Sequence, residues 1–155
     1  MELVLLIGIQ GAGKTTFFHQ RFAATHLRLS LDLLRTRHRE RVFFETCLAL
    51  RQPCVIDNTN VRRRERARYI EPARAAGFRV LGYFFEPEVR ASLARNLRRT
   101  GREQIPAKGV VGTYKRLERP IPAEGFHALY CVRVTPAHEF VISEWDRSEA
   151  GGLPP

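Results

Sequence analysis

Gly8-Ile9-Gln10-Gly11-Ala12-Gly13-Lys14-Thr15-Thr16, residues 8–16, is the stretch on which the reading of this chain turns. A glycine, four residues, then Gly13-Lys14-Thr15 is the spacing of a phosphate-binding loop, or P-loop. Gly11 and Gly13 open backbone angles closed to other residues, so the chain can wrap a phosphate with its amides turned inward. A helix starting at this point adds the positive end of its dipole. Lys14 is then placed to reach the β- and γ-phosphates of ATP, and the Thr15 hydroxyl to ligate Mg²⁺. Gly8, Gly11, Ala12, Gly13 and Thr16 complete the expected nucleotide cradle.

The context on both sides supports the motif. Residues 3–7, Leu-Val-Leu-Leu-Ile, form an apolar run of the kind a buried parallel strand shows. After Lys14, Phe18 and Phe22 recur at helical spacing. Further along, strand and helix patterns alternate. Strands are expected at 27–30, 53–57, 78–85 and 128–134, and helices at 33–51, 61–76, 87–99 and 110–117. Val42, Phe43, Thr46, Cys47 and Leu50 are expected on one face of the 33–51 helix. Gly77 suits the end of the 61–76 helix and Pro87 the first turn of the next. The alternation predicts an α/β fold: three layers around a central parallel sheet. Residues 1–135 are expected to form one P-loop domain, and 136–155, ending Gly-Gly-Leu-Pro-Pro, a partly frayed extension.

Composition bounds the setting. The 155 residues, 44% of them hydrophobic, suit a single domain with a real core. No apolar stretch is long enough to span a bilayer, and the N-terminal run leads straight into the P-loop, so neither membrane span nor signal peptide is expected. Cys47, Cys54 and Cys131 are odd in number and lack metal spacing, which reads as buried thiols in a cytoplasmic protein. The net charge is +10, and lysine occurs only at positions 14, 108 and 115, so the excess is carried by arginine. Arginine binds phosphate bidentately and stacks on bases, which favours a nucleic-acid partner; a GC-rich genome produces the same bias.

Ligands of such sheets sit beyond the carboxyl ends of the strands. The chain has three aspartates, and two of them, Asp32 and Asp57, fall where the second and third strands should end. Each also suits a helix cap. Asp32 is the candidate to accept the proton of an attacking hydroxyl. Arg35, one helical turn on, could hold a phosphate of the acceptor or pair with Asp57. Asp57 could instead hold a water on Mg²⁺. Arg90, Arg95, Arg98, Arg99 and Arg102 cluster around Gly101 in the pattern of an arginine lid over a nucleotide, although a solvated helix face shows the same pattern. The run Val61-Arg-Arg-Arg-Glu-Arg-Ala-Arg68 reads as solvated helix surface.

Val55-Ile56-Asp57-Asn58-Thr59-Asn60, followed by Arg66-Ala67-Arg68-Tyr69 and Ala73-Arg74-Ala75-Ala76-Gly77, resembles the kinase domain of polynucleotide kinase/phosphatases. Pro122-Ala123-Glu124-Gly125-Phe126 resembles that domain's C-terminal segment, and the likeness covers about residues 1–135. The resemblance implies a P-loop NTPase fold and phosphoryl transfer from ATP, with Mg²⁺, to the 5′-hydroxyl of DNA or RNA. It implies Asp32 as general base, Arg35 on the acceptor's phosphate, Lys14 and Thr15 on ATP and Mg²⁺, and Arg95 or Arg99 over the γ-phosphate. Asp57, with Asn58 and Asn60, would organise the acceptor side. Two features depart from the family. Leu29-Ser30-Leu31 stands where polar residues are usual, and the Asp-x-Asp motif of the phosphatase half is absent, so a kinase acting alone is expected. A ligase or phosphatase partner stays open, as does a sugar, nucleoside or other metabolite as acceptor.

Overall fold

A computed structural model describes residues 1–101 and 104–146. The strands are β1 (Glu2–Ile7), β2 (Leu27–Leu29), β3 (Cys54–Asp57), β4 (Arg79–Phe85), β5 (Ala128–Val134) and β6 (Phe140–Glu144). The helices are α1 (Lys14–Arg21), α2 (Leu31–Leu34), α3 (Arg37–Ala49), α4 (Arg63–Ala75), α5 (Val89–Leu97) and α6 (Ala107–Lys115), with a 3-10 turn at Pro122–Glu124. They build one sheet in the order β2-β3-β1-β4-β5-β6, in which the first five strands run parallel and β6 pairs antiparallel with β5.

The apolar run of β1 is central because it is apolar on both faces. Leu3, Leu5 and Ile7 point into one core with Phe44 and Cys47 of α3 and Tyr69, Ile70 and Ala73 of α4. Val4 and Leu6 point into the other with Phe17 and Phe18 of α1 and Val110 of α6. Every residue from Leu3 to Ile7 is fully buried, so the period-2 alternation of a strand is satisfied by two helical layers rather than by solvent. Chain order reverses at β1: the chain leaves it toward β3 and β2, then returns to β4 on its other side. A crevice opens at such a switch point beyond the strand ends, and there the P-loop follows β1 while Asp57 closes β3.

Three expectations change. The helix expected over 33–51 is two helices. Arg35 takes φ 70° between them, Ser30 caps α2 by accepting from the Asp32 amide at 3.2 Å, and Thr36 caps α3 by accepting from the Arg39 amide. Thr36 in extended geometry restarts the chain as a new helix. The face α3 buries is Glu40, Phe44 and Cys47, while Val42, Phe43 and Leu50 are exposed. Finally, the sheet does not end at Val134. Phe140–Glu144 adds β6, and the Trp145 ring meets Phe84 edge-on at 5.6 Å. The frayed Gly-Gly-Leu-Pro-Pro tail expected at the end lies outside the described residues, as does Arg102. All three cysteines are free and buried. Among the described residues no helix is long and apolar enough to cross a membrane.

Candidate active site

Gly11 and Gly13 take φ +74° and +96°, the left-handed region that glycine enters without strain. At Gly11 space excludes a side chain as well, since a Cβ would sit 2.5 Å from the Ser92 carbonyl oxygen of α5. Gly8 donates its amide to the Thr59 carbonyl at 2.9 Å, joining the P-loop to the segment after β3. Gln10 reaches across to the Thr113 hydroxyl of α6 at 3.0 Å. The loop is therefore held from three sides before any phosphate arrives.

Lys14 lies within the loop's curve, its Nζ donating to the carbonyls of Gly8 at 2.9 Å and Ile9 at 2.7 Å. Burial pushes its pKa down to about 8, against the opposing pull of Asp57, with Arg99 lowering it further and Asp32 raising it. Asp57, Arg99 and Asp32, from well-separated parts of the sequence, thus all act electrostatically on the Lys14 ammonium. Thr15 donates its hydroxyl to Asp57 Oδ2 at 2.9 Å. Asp57 thus stands beside Thr15 at the start of α1. It is paired with Arg28 of β2, Nε to Oδ2 at 2.7 Å, and not with Arg35.

A cleft of about 730 Å³ runs from this centre outward. The P-loop, Thr16, Asp57 at the end of β3, and Asp32, Arg35 and Arg37 all line it. Arg99 and Ile105 line it as well. Asp32 rides on α2, a single turn whose position is set by Asn58. The Asn58 side-chain oxygen accepts from the Leu31 amide at 2.9 Å, while its nitrogen donates to Glu40 at 2.6 Å. Glu40 is almost fully buried and also accepts from the Tyr69 hydroxyl at 2.5 Å and from Arg37 at 3.0 Å. Burial, and next the bond to Glu40, push the Tyr69 phenol well above its ordinary value. Asn60 is buried too, its amide nitrogen donating to the carbonyls of Leu6 at 2.8 Å and Ile56 at 3.3 Å. Asn58 and Asn60 thus brace the wall of the cleft that they also line.

A family model described as an AAA domain matches residues 3–120. The chain belongs to that family. Solved structures resemble this AAA domain over most of their length. A gluconokinase from Sinorhizobium meliloti 1021 aligns with TM-score 0.58 and 19% identity, over 86% of this chain and 82% of its own. Kti12 from Chaetomium thermophilum, in complex with ADP-AlF3, gives 0.60 and 18%, over 88% and 92%. A sugar kinase from Janibacter sp. HTCC2649 gives 0.62 and 17%, over 86% and 85%. At these identities the likeness is one of fold, that of the P-loop kinases, with its mostly parallel central sheet.

Within the AAA domain the arginine cluster divides its labour. Arg95 Nε donates to the Gly11 carbonyl, so it ties α5 to the P-loop rather than reaching over the cleft. Arg99, just past the end of α5, lines the cleft. Arg90 and Arg98 are exposed. The basic run that opens α4 is not wholly solvated as expected. Arg66 has no exposed surface, forks onto both Glu124 oxygens at 2.7 and 2.8 Å, and donates to the carbonyls of Asn60, Val61 and Glu118. Sequence reading missed Arg28, Arg37, Glu40 and Tyr69. Tyr69 stands only in the Arg66-Ala67-Arg68-Tyr69 stretch with no role attached, the other three sit in no local motif, and their partners lie from 3 to 32 residues away.

Proposed function

We propose that the protein is a kinase that transfers the γ-phosphate of ATP to the 5′-hydroxyl end of a nucleic acid. The observation that carries this reading is that Asp32, Lys14, Arg35 and Arg37 line one cleft. The P-loop would hold the phosphates through its amides, and Lys14 would exchange the Gly8 and Ile9 carbonyls for the β- and γ-phosphates. The acceptor hydroxyl attacks the γ-phosphorus, the bond to the β–γ bridging oxygen breaks to release ADP, and the hydroxyl proton passes to the Asp32 carboxylate. Arg99 faces the space where negative charge develops, and Arg35 and Arg37 suit the first phosphate of a polynucleotide end.

The donor set suits Mg²⁺. Thr15 Oγ1 and Asp57 Oδ2, both hard oxygens, lie 2.9 Å apart beside the loop. Among the described residues no cluster of three His, Cys, Asp or Glu side chains forms a cage of its own, which fits an ion that completes its shell with phosphate oxygens and water. Mg²⁺ held there would neutralise charge on the transferring phosphoryl group.

A second reading, phosphorylation of a sugar or other small hydroxylated metabolite, draws support from the gluconokinase and sugar kinase that share the fold. A single experiment separates the two. Radiolabelled γ-phosphate is offered from Mg²⁺-ATP to 5′-hydroxyl DNA and RNA oligonucleotides, and in parallel to gluconate and a panel of sugars and nucleosides. Label on an oligonucleotide, lost in Asp32→Ala, is the expected result. Label confined to a small molecule would overturn the polynucleotide assignment.

A further inference from the structure

Arg28 bonds to both of the oxygens that would hold a metal beside the P-loop. Its Nε donates to Asp57 Oδ2 at 2.7 Å and its Nη2 to Thr15 Oγ1 at 3.3 Å, while the Thr15 hydroxyl donates to the same Oδ2 at 2.9 Å. The single Thr15 proton is therefore spent on Asp57, and one of the two lone pairs that a metal could use accepts from Arg28. The ion pair is sheltered, with 18% of the Arg28 side chain and 2% of the Asp57 side chain exposed. The Phe18 ring, 5.9 Å from the guanidinium carbon, gives the cation a face to lie against.

A buried carboxylate needs a counter-charge. Lys14 is near enough to act on Asp57 but bonds to the Gly8 and Ile9 carbonyls, so Arg28 is the cation in direct contact. Mg²⁺ binds oxygen at ~2.0–2.1 Å and brings ordered waters with it. An ion on Thr15 Oγ1 would share that oxygen with a guanidinium nitrogen 3.3 Å from it, and two cations so close repel.

We propose that Arg28 is a resident counter-cation of the metal position: it neutralises Asp57 in the metal-free protein, must leave Thr15 when Mg²⁺-nucleotide binds, and so sets the Mg²⁺ concentration at which the nucleotide is held. This rests on reading the cleft as a Mg²⁺-nucleotide site, and is independent of which acceptor is phosphorylated.

The test is calorimetric binding of ATP, without acceptor, in EDTA and across a Mg²⁺ series. Wild type, Arg28→Gln and Arg28→Lys are compared. Arg28→Gln should lower the Mg²⁺ midpoint for ATP binding about tenfold, the scale of one lost charge-assisted pair. The same variant should bind ATP more weakly than wild type in EDTA, because Asp57 then faces the phosphates unneutralised. Arg28→Lys keeps the charge without the two-nitrogen reach and should lower the midpoint part of the way. Loosened packing would weaken binding in both conditions, so the opposite signs are the signature. Equal losses with and without Mg²⁺, or an unchanged or raised midpoint in both variants, would overturn the proposal. Wild-type protein that bound no ATP in either condition would overturn the reading of the cleft itself.

Discussion

Asp32, the proposed base, has little local structure of its own, and its supports lie elsewhere. It sits on a helix of four residues, far too short to be stable alone, whose first amides are held by Ser30 and Asn58. Replacing Asp32 by Ala is expected to lower phosphoryl transfer about 10²–10⁴-fold while ATP affinity stays near wild type. Paired turnover and binding measurements check it, and normal turnover would remove Asp32 from the mechanism. Lys14 makes a separate prediction about pH. Its folded pKa of about 8 lies below its ordinary 10.5, so between these values the unfolded chain binds more protons than the folded one. The stability of the nucleotide-free, metal-free protein should therefore rise as pH climbs through that window. Lys14→Met should flatten the rise in urea titrations at pH 8 and 10.

At the scale of elements, α4 is fastened by charge as much as by its apolar face. Arg66 forks onto Glu124 of the 3-10 turn and caps three carbonyls, so one buried side chain joins α4, the end of α6 and the segment before β5. Arg66→Ala strands Glu124 and is expected to cost about 3–5 kcal/mol, read as a drop in the urea midpoint. Lysine cannot reproduce the fork and should rescue little of that loss. The contact between α5 and the P-loop is equally tight. Gly11→Ala combines positive φ with a 2.5 Å approach to the Ser92 carbonyl, so α5 must move away. Its expected outcome is loss of ATP binding with the core still folded, checked by calorimetry beside circular dichroism.

For the whole molecule, the last strand supports the first loop. Phe140 of β6 packs its ring 5.1 Å from Phe17, and a Cβ on Gly13 would meet it at 3.2 Å. Phe140→Ala should cost about 2 kcal/mol, the lower range for a ring that is only partly buried, and weaken ATP binding with it. The net charge of +10 is a property of the surface rather than of the fold. If the acceptor is a polynucleotide, its KM in the labelling assay should rise steeply between low and physiological salt, whereas a neutral sugar's should not.

The P-loop, the apolar β1 and the two strand-end aspartates were legible in sequence because each is a local pattern: a spacing, a run, a scarce residue at a predictable place. The five parallel strands followed from the alternation of periods. Other features were settled only by tertiary structure. Arg28 and Arg66 sit in arginine-rich sequence where every arginine looks alike, and their roles come from acidic partners 29 and 58 residues distant. β6 is a short, half-polar strand that needs β5 beside it to exist at all. The break at Arg35 depends on caps that compete with an otherwise continuous helical pattern. Local pattern determined where the phosphates belong. The direction of each charge around them was decided by packing, because burial leaves every ion a choice of partners that only the folded chain brings within reach.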